Sequence, residues 1–151
     1  MKSNKTRSSL KRKKVLRKTA HRKPGSNRKN YIVRKFIEMI NVVKLYHWKT
    51  HSYAEHKATD ELYGKLNENV DKFVEVLLGK DESRIQEWDK HMEIMQSNDS
   101  KQFKDKMHGY RRFLIELDEC LDSRRDSDLM SIRDDILSDI NQFLYLFTFR
   151  K

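Results

Sequence analysis

Apolar side chains recur along most of this chain at steps of three and four, the period of a helix that buries one face. Ile32, Phe36, Ile40, Val43 and His47 follow one another at intervals of four, four, three and four, which predicts a first helix over about 30–49. Leu62, Leu66, Val70, Phe73 and Leu77 form the stripe of a second helix, from about Ala54 to Leu78, with Gly79 as its stop. A third, about 101–122, is carried by Phe103, Met107, Tyr110, Leu114, Leu117 and Leu121. A fourth, about 127–149, follows an Asp126 or Ser127 cap and presents Leu129, Ile132, Ile136, Ile140, Phe143 and Phe147. The stretch 80–100 is a connector with one short amphipathic piece holding Trp88, Met92 and Met95. No alternating strand pattern competes.

The connections decide the architecture. The first and second helices are a few residues apart, as are the third and fourth, so each pair reads as an antiparallel hairpin. The second and third are separated by about 20 residues, enough to cross the length of a bundle. Two hairpins joined by one long crossover is the ferritin-like form of the four-helix bundle, so the expected fold class is all-α.

Composition narrows this further. The chain has 151 residues with only 4 Gly, 1 Pro and 1 Cys. One domain of ordinary size is expected, and a turn-rich β-sandwich or barrel is disfavoured. A lone Cys120 excludes an intramolecular disulfide framework and a Cys-based zinc cluster, and fits a reducing compartment. It reads as a small core or interface side chain. No run of 18 apolar residues exists, so no membrane span is expected.

Charge then divides the chain in two. The formal charge is +10, but residues 1–30 hold eight Lys, five Arg and no acid, which is +13. Residues 31–151 hold the other 20 basic residues and all 23 acids, which is −3. The first segment has too few apolar side chains to offset chain entropy, so residues 1–29 read as a disordered basic arm ahead of a bundle over 30–151. Lys11, Arg12, Lys13, Lys14, Arg17, Lys18, Arg22, Lys23 and Arg28 are its candidate phosphate contacts, since mobile cations displace counterions from nucleic acid without needing a fold. A nuclear-targeting signal around Lys11–Lys14, a mitochondrial presequence and a solubilising tail are the other readings of the same residues.

Candidate chemistry lies in the body. His56, Asp60, Asp71 and Glu75 fall within an arc of about 100° on one face of the second helix. His47 ends the inward stripe of the first. Imidazoles and carboxylates on facing elements are a ligand set for iron or another first-row metal. Asp60 and Asp71 are eleven residues apart, roughly 16 Å along a helix, so one ion cannot bridge them. Either they are half-sites, or each is completed by another chain. In a two-fold dimer packed through this helix, His47, His56 and Asp60 of one copy would meet Asp71 and Glu75 of the other, twice. A surface His–acid contact is the plainer reading of the same spacing. Tyr63 and Trp48 read as packing residues, and His91 and His108 as surface or packing residues.

Leu45-Tyr46-His47-Trp48, then His56-x-x-x-Asp60 and Asp71-x-x-x-Glu75, with Gly79 after them, resemble the signature of the Dps family, the miniature ferritins that protect DNA. The resemblance is closest over 30–79 and architectural over 80–149. It implies that His47, His56 and Asp60 are iron ligands from one subunit, with Asp71 and Glu75 from its two-fold partner. It also implies a dodecameric shell, oxidation of Fe(II) to Fe(III) with peroxide, a ferric mineral, and double-stranded DNA bound by the arm without sequence preference. The interval from His47 to His56 is about three residues shorter than usual in that family, which leaves His51 as an alternative to His47. The chain is also similar to Dps-like proteins encoded by large DNA viruses. That likeness implies a genome-associated virion component, in contrast to a cytoplasmic, nucleoid or nuclear one. The competing expectation is a non-catalytic DNA-binding or virion structural protein that keeps the fold.

Overall fold

The computed structural model describes residues 26–85 and 99–149. They form α1 (Ser26–Lys49), α2 (Tyr53–Gly79), α3 (Ser100–Glu116) and α4 (Ser127–Leu146), with a 3-10 turn at Leu117–Glu119 and no strand among the described residues. Arm residues Lys11 to Lys23, and Trp88, His91, Met92 and Met95 of the connector, lie outside them.

All four apolar stripes meet in one core. Phe36, Phe73, Phe103, Met107, Leu114, Ile136 and Ile140 are fully shielded from solvent. Each such side chain contributes about 1.5–3 kcal/mol of burial free energy. Aromatic edges interlock through it, with Phe36 meeting Phe73 at 5.0 Å and Phe113 at 5.7 Å between ring centroids.

Contacts between helices fix their directions. Along α1, Phe36 meets Phe113, Glu38 accepts from the Tyr110 hydroxyl, and Tyr46 stacks on Phe103, so α1 and α3 are antiparallel neighbours. Lys65 pairs with Asp139 and Lys80 with Asp126, so α2 and α4 are antiparallel as well. The α1–α2 hairpin closes with His47 beside His56 at one end and Lys29 on Asp81 at the other. The order is therefore up, down, down, up. α2 finishes at one end of the bundle and α3 starts at the opposite end.

Element ends differ from the sequence reading where tertiary contacts intervene. α1 starts at Ser26 rather than about Asn30. Lys29 is buried, and its ammonium donates to both Asp81 carboxylate oxygens (2.5 and 2.6 Å) and to Ser83 Oγ (2.8 Å). α3 stops at Glu116, short of 122, and its stripe continues through the 3-10 turn and just past it, with Leu117 and Leu121 still buried. Asp126 occupies the N-cap position of α4, yet its carboxylate accepts from the Asp122 N–H (2.9 Å) and caps the preceding turn.

Candidate functional site

The three-residue turn Thr50–Ser52 brings the last turn of α1 against the first turn of α2. Ser52 is the N-cap of α2 and accepts from the Glu55 N–H (3.4 Å), a standard helix start. The Glu55 side chain folds inward. Its Oε2 accepts from the Tyr46 hydroxyl (2.7 Å) and the Thr50 hydroxyl (2.6 Å). Burial, then the bond to Glu55 and its negative charge, push the Tyr46 hydroxyl up to about 12.

This turn places two imidazoles face to face. His47 is buried, His56 is exposed, and their rings stack with centroids 3.9 Å apart and planes 23° apart. Each Nδ1 lies 3.0 Å from the other residue's backbone carbonyl oxygen. A carbonyl can only accept, so each Nδ1 carries a hydrogen and donates it. Thr59, fully buried, donates to the Glu55 and His56 carbonyls, which leaves its oxygen facing His47 Nδ1 at 3.4 Å.

The consequence is chemical. In neutral imidazoles with hydrogen on Nδ1, both Nε2 lone pairs are free to bind a cation, and the second nitrogen of each ring is anchored in the way typical of metal-ligating histidines. His47 Nε2 lies 3.8 Å from Asp60 Oδ1, too far for a hydrogen bond. A cation bonded at about 2.1 Å to each atom fits between them.

Three of the five candidate ligands, His47, His56 and Asp60, thus lie at one end of the α1–α2 hairpin, where His47 meets both of the others. Asp71 and Glu75 sit exposed on the same side of α2, three to four turns further along, and do not reach the histidines within one protomer. Among the described residues, no group of three or more His, Cys, Asp or Glu side chains is placed to hold a metal ion, and His47, His56 and Asp60 are not such a group within one protomer. His51 is exposed in the turn. Trp48 is exposed, and Lys44 lies over both its ring (5.6 Å) and that of Tyr63 (4.3 Å).

Sequence reasoning missed the buried support of the pair: Tyr46, Thr50, Glu55 and Thr59. The Ser52-x-x-Glu55 spacing was a legible helix-start signal, but the inward turn of Glu55 was not. A separate open cleft of about 590 Å³ lies between α1 and α3, lined by Tyr31, Lys35, Glu38, Lys106, Tyr110 and Arg112 among others. Its floor is polar, since Glu38 accepts from Tyr110 (3.2 Å) and Lys35 (2.8 Å).

The family model of DUF5856, described as a family of unknown function, matches residues 47–147, and the chain belongs to that family. The matched stretch begins at His47 and includes all five candidate ligands. No curated protein and no solved structure gives a significant match.

Proposed function

We propose that this chain is a Dps-like, ferritin-like protein that binds and oxidises Fe(II) at a site shared between two subunits, and that its basic arm holds it on double-stranded DNA. The observation that carries the metal reading is the reciprocal His47–His56 pair. Two imidazoles have their Nδ1 hydrogens committed to backbone carbonyls and their Nε2 lone pairs left over, that of His47 3.8 Å from the carboxylate of Asp60. The up-down-down-up order of the helices, with a long link between α2 and α3, supports the ferritin-like form of the bundle.

In this reading one protomer supplies the nitrogen-rich half of the site. A second copy, packed α2 against α2 about a two-fold, supplies Asp71 and Glu75 from their exposed positions. Imidazole suits Fe(II), and the hard carboxylate oxygens favour Fe(III), so the mixed set pulls the ion toward its oxidised state. Each peroxide takes one electron from each of two Fe(II) ions and leaves as water, which removes a source of hydroxyl radicals near DNA. A dodecameric shell that stores the ferric product is the assembly this reading anticipates.

The test is Fe(II) oxidation by purified full-length protein with added peroxide, compared with His56→Ala and Asp71→Ala. Both variants should lose the protein-dependent rate, and mixing them should restore part of it, because each supplies the half-site the other lacks. Equal rates for all three proteins would overturn the reading. The incomplete ligand set of the single protomer favours a second function, a DNA-binding or virion structural protein with an idle site. That function predicts equal iron rates together with DNA retention.

A further inference from the structure

The body's net charge conceals a segregated surface. α1 carries six Lys/Arg and one acid, and its neighbour α3 carries five and two. α2 carries three Lys/Arg and six acids, and its neighbour α4 carries one and four. The bundle is therefore basic on its α1–α3 half and acidic on its α2–α4 half. The net −3 of residues 31–151 averages over this division.

The basic half has a continuous stripe. Phe103, Met107, Tyr110 and Leu114 point α3 into the core. Lys101, Lys104, His108 and Arg111 follow one another at three and four residues on the side of α3 away from the α1–α3 cleft, with no acid among them. Lys101 is exposed, and Lys104 and Arg111 are partly exposed. None of the three forms an ion pair among the described residues. His108 independently registers the field. Burial first, then the charges of Arg111 and Lys104, depress its pKa, and the nearby Asp105 only partly offsets them.

We propose that the Lys101–Lys104–Arg111 stripe of α3 is a second contact surface for the nucleic-acid phosphate backbone, acting together with the arm. From Lys101 to Arg111 the stripe spans about 15 Å, at 1.5 Å per residue. A duplex presents about one negative charge per 1.7 Å of its axis, so a stripe of this length meets several phosphates whatever the base sequence. Position favours this partner over another copy's acidic half. α1 begins at Ser26 and its Tyr31 ring packs on Phe113 at 6.2 Å, so the arm enters the bundle at the end where Arg111 lies, on the other flank of α3. A duplex held by the arm is thus delivered to the end of the stripe at high effective concentration. The inference rests on the arm reading for that delivery, and the experiment separates the two.

Full-length protein is titrated against a short fluorescent random-sequence duplex between about 50 and 200 mM salt, and log affinity is plotted against log salt. Lys101→Gln/Lys104→Gln/Arg111→Gln should flatten the slope by about 2.7, or about 0.9 for each lost phosphate contact. The charge-preserving Lys101→Arg/Lys104→Arg/Arg111→Lys should keep the original slope. Lys11→Gln/Arg12→Gln/Lys13→Gln/Lys14→Gln reports on the arm alone. An unchanged slope in the stripe variant, with a flattened one in the arm variant, would overturn the stripe and leave the arm reading intact. The reverse result would uphold the stripe and remove the arm. A stripe variant that changes only the sedimentation coefficient would assign the surface to a second copy and overturn the proposal, as would loss of slope in the charge-preserving variant.

Discussion

Tyr46→Phe isolates one buried hydrogen bond at the hairpin that holds the histidines. The ring stays in place, stacked on Phe103 at 3.9 Å and nearly parallel to it, so the change removes only a hydroxyl. That hydroxyl donates to Glu55 at 2.7 Å between two buried residues. A hydrogen bond to a charged group contributes about 1.5–3 kcal/mol. The Thr50 hydroxyl still donates to the same oxygen at 2.6 Å, so the carboxylate is not orphaned. The expected loss is therefore about 2 kcal/mol, or about thirtyfold in the unfolding equilibrium. Urea titration followed by far-UV circular dichroism measures it. Removing both donors, with Tyr46→Phe/Thr50→Val, should cost more than either single change, because both hydroxyl bonds to the Glu55 carboxylate are then gone. A pH series adds a second check. The Tyr46 hydroxyl titrates near 10 when unfolded and at about 12 in the fold, so its contribution is complete below pH 10 and disappears between 10 and 12. The wild type should lose stability over that window more steeply than Tyr46→Phe. A single-variant loss below about 0.5 kcal/mol, or a double variant as stable as Tyr46→Phe, would refute the argument that these two hydroxyls hold Glu55 in place.

Other parts of the fold give sharper single measurements. Phe73→Ala empties a fully buried site against Phe36 and should cost about 3–5 kcal/mol in the same urea assay, and a loss under about 1.5 would contradict the packing described. The Arg133 guanidinium, buried on α4, donates to the Leu114 carbonyl (3.1 Å) and to Asp118. Arg133→Ala should cost about 2–3 kcal/mol, while Asp118→Asn, at a half-exposed position, should cost under about 1. The Lys29 and Ser83 bonds hold the Asp81 carboxyl at about 2, so the clamp on the first turn of α1 is complete above about pH 4 and releases as pH falls toward 2. Amide exchange around residues 28–32 should stay slow at pH 4, whereas Asp81→Asn should quicken it at neutral pH.

The helical phases were legible because each stripe is a local statement. Residues three and four apart share a face whatever the rest of the chain does, and the buried positions of α2 are the ones that period picks out. What was not legible depended on distant partners. Lys29 looks like one more arm cation until Asp81, 52 residues later, arrives beside it and extends α1 backward. At the candidate site, spacing brought His56 and Asp60 together, because one helical turn separates them. The face-to-face pairing of His47 with His56 was hidden, since it depends on how Thr50 and Ser52 turn the chain. The charge split was hidden for a related reason. A sum over sequence cannot register that α1 neighbours α3 and that α2 neighbours α4.

That arrangement has a spatial meaning for the proposed chemistry. α2 and α3 stand diagonally across the bundle, each flanked by α1 and α4. A helix with its side chains is about 10 Å across, so the exposed carboxylates of α2 and the cationic stripe of α3 are about two helix widths apart. Ferrous ions would collect on the acidic side, and a duplex would lie along the basic one. An oxidant consumed on the first side would then do its work with the thickness of the protein standing between it and the bases, and the bundle would serve as insulation.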